Sequence, residues 1–476
     1  MTSHEIGIAA GAKALAGQNY WRDELTGTVK LALPIALTQL GQVAMMTSDL
    51  ILIGHLGGRA LAGAALGQTV MFVGFMLGLG LVSAVAPLAA QAYGAREPRM
   101  VRRALRVGLW ASVLLGIPLM ALQHMGETLL LALGQEQDIA QLAGHYLMGL
   151  GWSLLPAWCF IALRGFMSAV NRPEPALWIT LAAIPMNALL AYALIYGAFG
   201  LPRLELLGAG TATTLVNIGM CVAGFWIAYT QRPFKKYRVL SRFWRFDGAL
   251  MRELIVVGAP ISGAFLLEYG LFASAAILMG WIGTTALAAH QIALQVAAIL
   301  FMVPFGISMA ATVRVGHAVG RGDAPASRRA GFAAIGLGAV FMAGMAIVII
   351  ALRHVIPLAF LDAASGDADA TVALAATLLA VGSTFFIVDG IQTITAGALR
   401  GLNDTRMPLV FAGISFWVVG FSTSYALAFP ARLAAVGIWI GFTVGLGLYA
   451  LLLVWRFNAL TRRGYMPAAP GHALPH

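Results

Sequence analysis

Apolar residues in this chain come in long runs rather than in alternation, and those runs set its architecture. Twelve stretches near 20 residues are apolar enough to cross a bilayer as helices. The first six fall at about Thr28 to Gly54, Leu61 to Leu88, Leu105 to Gln123, Gln141 to Leu163, Pro173 to Ala198 and Leu207 to Tyr229. Six more follow at about Glu253 to Gly280, Leu287 to Ala310, Ala330 to Ile356, Thr371 to Leu399, Met407 to Phe429 and Leu433 to Phe457. The alternation over ten-residue segments that marks a membrane β-barrel is absent. The pattern predicts an all-α integral membrane protein with an amino-terminal tail (1–27), a six-helix half (28–229), a linker (230–252), a second half (253–457) and a carboxy-terminal tail (458–476). The linker is basic and aromatic, which predicts a helix lying on the membrane face.

Composition agrees: 60% of the 476 residues are hydrophobic and 10% charged, with mean hydropathy +0.84. That leaves too little polar surface for a water-soluble globule. A net charge of +11 invites a nucleic-acid reading, but the positions exclude it. Of 30 Lys and Arg residues, all but Arg59, Arg203, Arg353 and Arg432 fall in the tails, in one set of alternating loops or at the span ends that adjoin them. This bias predicts an inner-membrane protein with both termini cytoplasmic and a basic face toward anionic lipid. The first 20 residues lack the apolar core of a signal peptide. Cys159 and Cys221 sit in apolar runs and read as small buried hydrophobes, implying neither disulfide nor zinc site.

The chain repeats itself. At an offset of 226, Pro34–Ala62 aligns without gaps on Pro260–Ala288 with 11 identities in 29 positions, among them Gly54 on Gly280 and Gly57 on Gly283. The register continues through Gly94 on Gly320 and Arg102–Arg103 on Arg328–Arg329, and Leu163-Arg164-Gly165 recurs as Leu399-Arg400-Gly401. Six spans per repeat put both halves into the membrane the same way round. The expected result is two pseudo-symmetric six-helix lobes about an axis along the membrane normal.

Three of the 19 acids, Asp49, Glu268 and Asp389, fall inside predicted spans away from their ends. A charge at a helix centre costs about 2.5–3.5 kcal/mol, so such groups face a partner, a cavity or a transported species. Glu268 shares a helix face with Phe265 and Phe272 and adjoins Tyr269; Asp389 shares one with Phe385, Phe386 and Gln392. Acid and rings together suit an organic cation; a structural acid bonded to a neighbouring helix is the alternative. Gln42 is the register partner of Glu268 and a candidate for the same site. Asp49 lies near the outer third of its span, as a rim carboxylate wetted from outside or as a bundle-facing group that carries a proton or cation. His290 and Gln291 open the eighth span, where interfacial hydration accounts for them. Prolines at 34, 118, 156, 185, 260 and 304 can kink helices, and Met45, Met46, Met71 and Met76 either line an adaptable pocket or pack.

Taken together, SDLILIGHLGG, AAQAYGAREPRMVRRAL, PISGAFLLE, AAHQIALQVAAILFMVPFGISMAATVRVGHAVGRGD and VDGIQTITAGALRGLNDTRMP resemble the multidrug and toxic compound extrusion (MATE) transporters, in particular their NorM-like branch, over roughly residues 28 to 457. The resemblance implies an antiporter that expels organic, often cationic, drugs and dyes while admitting Na⁺ or H⁺, with no cofactor. Asp49, Glu268 and Asp389 match the acids tied to cation coupling and drug binding, Glu268 and Asp389 being the Na⁺ candidates. Asn187 matches a residue near the first-span Asp. Ala191 stands where proton-linked relatives carry a second Asp, which tilts the expectation toward Na⁺, and Phe385 stands where some members have Tyr.

Other classes fit less well. A lipid-linked sugar flippase of the same superfamily is expected to line its cavity with Arg and Lys, and no basic residue is expected inside a span away from its ends. A metal-dependent membrane enzyme lacks DDxxD and HExxH, and no Walker-type GxxxxGK[ST] occurs. The expectation is a transporter and not an enzyme, acting as a monomer without nucleic acid.

Overall fold

A computed structural model describes residues 3–360 and 368–467, with side-chain surroundings from Tyr20 onward. The end of the predicted carboxy-terminal tail, 468–476, lies outside the described residues. Twelve helices are long and apolar enough to span a membrane, and no strand occurs among the described residues. They are α1 (Ser3–Gly54), α2 (Gly58–Gly94), α3 (Pro98–His124), α4 (Gln137–Ala169), α5 (Glu174–Tyr196) and α6 (Glu205–Thr230). The second half supplies α7 (Gly248–Ile282), α8 (Thr284–Gly320), α9 (Ala324–Leu352), α10 (Asp369–Gly401), α11 (Arg406–Ala428) and α12 (Ala434–Arg462). Each coincides with a predicted span, and most run a turn or more beyond it into polar sequence. Large apolar side chains such as Val340, Ile347 and Leu451 are left exposed, as helices that face lipid require.

The repeat in the sequence is a repeat in the backbone. Gly57 and Gly283 cap the second helix of each half at φ 109° and φ 151°, a left-handed region open to glycine because it has no Cβ. Gly80 and Gly306 are related by the same offset, as are Ala36 and Ser262. A Cβ on Gly80 would lie 2.4 Å from the Cα of Ser262; one on Gly306 would lie 2.8 Å from the Cα of Ala36. Two backbone-to-backbone crossings, α2 on α7 and α8 on α1, are therefore copies of one contact.

Packing divides the chain into two compact units. One holds the segment up to Ala36 with Ala275–Leu402 and Ser415–Pro467; the other holds Leu37–Ser274 with Asn403–Ile414. The crossings explain the allocation, since the start of α1 packs with the second half and the start of α7 with the first. Within the first unit Glu24 pairs with Arg314; within the second, Asn403 Nδ2 donates to Gln91 Oε1 at 3.0 Å. α11 widens into a π-helical stretch at Gly413–Phe421, next to where the allocation changes.

The linker corrects an expectation. It is not a surface helix but a 3₁₀ turn, Phe234–Tyr237, followed by further turns. Pro233 lacks the N–H a helix needs, and Arg238 and Arg242 have φ of 47° and 58°. Phe234, Tyr237 and Val239 are buried, the first two against the Phe166 ring at 5.8 and 5.5 Å. Asp247 then caps α7 through the Leu250 amide and accepts from Arg103 Nε at 2.6 Å.

Candidate functional site

Asp49 is buried at 9% exposure, which removes the rim reading. It lies a turn and a half before the end of α1, on the face toward α5 and α6. Asn187 Nδ2 on α5 donates to its Oδ1 at 2.6 Å, and Thr213 on α6 donates to its Oδ2 at 3.1 Å. A neighbouring bond ties α5 to α1: Tyr196 O–H donates to the Leu52 carbonyl at 2.7 Å. No Lys, Arg or His pairs with Asp49 among the described residues. Asn187 Oδ1 is buried and has no hydrogen-bond donor. A buried acceptor beside a carboxylate is costly unless something positive or protic occupies the gap. Carboxylate, amide oxygen and hydroxyl together form an oxygen-donor set suited to a hard cation, or to a proton on the acid.

Asn187 and Asp49 thus meet as expected, and Ala191, one turn further along α5, is buried with no polar atom to add. Thr213 was not anticipated. Its only signal is the run GTATT in an otherwise apolar span. Thr211 and Thr214 spend their hydroxyls on the carbonyls of Gly208 and Gly149, which leaves Thr213 for the carboxylate.

Glu268 belongs to the same compact unit as Asp49 and Gln42. It is half-buried on α7, as are Phe265, Tyr269, Phe272 and Gln42. The Tyr269 ring sits 5.0 Å from Phe72. Asp389 lies in the other unit, buried on α10, and accepts from Gln392 Nε2 at 3.0 Å. Phe385 and Phe386 are both 1% exposed, locked in an aromatic knot with Trp439 and Phe442 at centroid distances of 5.4 to 6.5 Å. They form the wall behind Asp389 rather than a free surface. His290 joins the same knot, 5.9 Å from Trp439. At 0% exposure it is not hydrated, contrary to expectation, because α8 begins at Thr284 and carries it a turn and a half inside. Met45 and Met71 are buried and Met46 exposed.

A second correction concerns charge. α4 continues to Ala169, so Arg164 lies inside a span; it is 4% exposed and donates to Gln39 Oε1. The apolar run that predicts this span ends at Leu163, one residue before Arg164, while the helix itself runs on to Ala169.

Comparison with known proteins agrees with the repeat. The MatE family model matches residues 34–193 and again 260–426, two starts at the offset of 226 found in the chain itself. A probable multidrug resistance protein NorM of Rhodopseudomonas palustris is 62% identical over 97% of each chain. Its counterpart in Mesorhizobium japonicum is 41% identical over 98% of this chain and 99% of its own. Among solved structures, the eukaryotic MATE transporter AtDTX14 superposes with TM-score 0.83 at 22% identity, covering 94% of this chain and 99% of that one, which speaks to the fold. A doubled family match and near-full-length identity to NorM proteins place the chain in the MatE family, as a multi-pass membrane transporter of the NorM-like branch.

Proposed function

We propose that this protein is a secondary antiporter of the bacterial inner membrane, exporting organic, often cationic, compounds in exchange for an entering cation, Na⁺ ahead of H⁺. The observation that carries the reading is the Asp49 cluster: a buried carboxylate held by Asn187 and Thr213, with the Asn187 carbonyl oxygen unsatisfied. The set offers three oxygens to a bare cation. With Ala191 beside it there is no second carboxylate with which Asp49 can share a proton, which favours Na⁺.

Binding neutralises a charge that is expensive in an apolar surrounding, so the loaded and empty forms of α1 differ in energy. Such a difference is what biases a transporter between two arrangements. Glu268, among Phe265, Tyr269, Phe272 and Gln42, and Asp389, backed by Phe385 and Phe386, are the acids that attract the drug cation or the ion in turn. Each positive charge entering down 100 mV contributes about 2.3 kcal/mol, so export needs no ATP. The protein acts as a monomer with both termini cytoplasmic.

Ethidium efflux from proteoliposomes with Na⁺ and pH gradients imposed separately tests the coupling. Efflux driven by the Na⁺ gradient and lost in Asp49→Asn is expected; efflux driven by the pH gradient alone refutes Na⁺ coupling. Unchanged efflux in both Glu268→Gln and Asp389→Asn removes those acids from the mechanism.

A further inference from the structure

Where α6 leaves its apolar run, the chain forms a half-open pocket of about 530 Å³ lined by Tyr229, Thr230, Lys235, Arg238, Leu240 and Ser241. That volume lies within the range of small-molecule sites, about 300–1,000 Å³. Lys235 and Arg238 are exposed, and neither pairs with a carboxylate among the described residues. The Thr230 hydroxyl is taken by the Trp226 carbonyl at 2.7 Å, so Ser241 and Tyr229 supply the remaining hydroxyl donors.

The backbone that carries the cations is held in place. Phe234, Tyr237 and Val239 are 1 to 3% exposed, and the residues between and after them, Lys235, Lys236, Arg238 and Leu240, are exposed. The alternation comes from rings anchored on Phe166, and the Ser241 amide closes the turn onto the Arg238 carbonyl at 2.8 Å. Two cations on an anchored backbone, with hydroxyl donors beside them, form a phosphate-binding set.

A second feature says which phosphate. Leu215, Ile218, Val222, Trp226 and Tyr229 are all exposed and recur every three or four residues, so they form one stripe along α6 that ends in the pocket. At 1.5 Å per residue the stripe is about 21 Å long, more than one leaflet of a hydrocarbon core about 30 Å thick. Trp244 and Phe246, also exposed, add rings of the kind that sit at the headgroup level. We propose that the pocket binds the phosphate of an anionic phospholipid headgroup, with the acyl chains lying along the α6 stripe.

The test uses the full chain, purified and exchanged into dioleoyl-phosphatidylglycerol or dioleoyl-phosphatidylcholine nanodiscs, with retained lipid counted by native mass spectrometry. Wild type keeps phosphatidylglycerol through delipidation. Lys235→Ala/Arg238→Ala retains it about 30-fold more weakly, from about fivefold for each basic side chain near an anionic surface. Glutamine at both positions keeps the aliphatic stems and shows the same loss. Equal retention by wild type and both double variants overturns the proposal. So does an equal loss from Arg321→Ala/Arg462→Ala, exposed cations elsewhere, because that marks a diffuse charge effect. Inorganic phosphate that competes the lipid off and itself raises the melting midpoint equally assigns the pocket to free phosphate and overturns the lipid assignment.

Discussion

Gly306→Ala probes the crossing of α8 on α1. Its Cβ would lie 2.7 Å from the Ala36 Cβ and 2.8 Å from the Ala36 Cα and N, against about 3.5–4.0 Å for carbons at optimal separation. The helices must part by roughly 1 Å, and overpacking of this kind costs about 1–3 kcal/mol. Alanine's better helix propensity offsets about 0.8–1.0 kcal/mol of that, leaving roughly 1 kcal/mol against the crossed arrangement. In Gly80→Ala the new atom would sit 2.2 Å from the Ser262 amide nitrogen, which strains the copy of this contact, α2 on α7, in the same way. The reporter is a cysteine at Thr28, fully buried on α1, introduced after Cys159→Ser and Cys221→Ser. Its labelling rate with a membrane-impermeant maleimide rises about fivefold in Gly306→Ala. Gly336→Ala, where a Cβ meets nothing within 4 Å, leaves the rate unchanged. A folded Gly306→Ala variant that labels within twofold of the wild-type rate refutes the claim that this contact holds the crossing.

Asn187→Ala removes a hydrogen bond to a carboxylate, a contribution of about 1.5–3 kcal/mol. The Na⁺-dependent rise in melting midpoint should shrink sharply, and less so in Thr213→Val, whose hydroxyl is shared with the Ala209 carbonyl; a full Na⁺ response in Asn187→Ala contradicts the site. His290→Phe replaces a ring whose two nitrogens are buried and unpartnered, so the midpoint holds or rises; a fall of more than about 5 °C shows that the imidazole has partners. Burial pushes the Asp247 carboxyl up, but the Arg103 hydrogen bond, the Leu250 amide and the charges of Arg103 and Arg106 outweigh it and leave the group below its ordinary value. A depressed folded pKa stabilises above the unfolded value, about 3.9, and that contribution disappears as pH falls through the folded pKa. The fluorescence of Trp110, whose Nε1 donates to the Phe243 carbonyl at 2.9 Å, therefore changes below about pH 4 in wild type and is already altered at neutral pH in Asp247→Asn; identical acid profiles in the two refute the linker clamp.

The spans and the repeat were legible because hydropathy is a local property and the offset of 226 needs no third dimension. The same register contained the crossings: Gly80 with Gly306 and Ala36 with Ser262 are visible as pairs, but nothing local says that they touch. Asp49 was legible as an anomaly, whereas Thr213 was not, since a threonine in a membrane helix usually bonds its own backbone, as Thr211 does. The linker misled because its rings and cations have the composition of an interfacial helix, while Pro233 and the left-handed turns at Arg238 and Arg242 break the period. Phe385 and Phe386 share a face with Asp389 by spacing, yet Trp439 and Phe442, from a helix 50 residues further along, decide what that face meets.

The exchange of segments at the two crossings has a consequence for synthesis. Ala36 leaves the ribosome about 270 residues before Gly306, which at 5–20 residues per second is roughly 14–54 s of waiting. Throughout that interval the opening stretch of α1 is inserted without its permanent neighbour, so the first half cannot mature as a finished unit ahead of the second. Assembly must remain reversible until α8 arrives, and a chain released early leaves the Ala36 face of α1 unmatched for quality-control proteases to find.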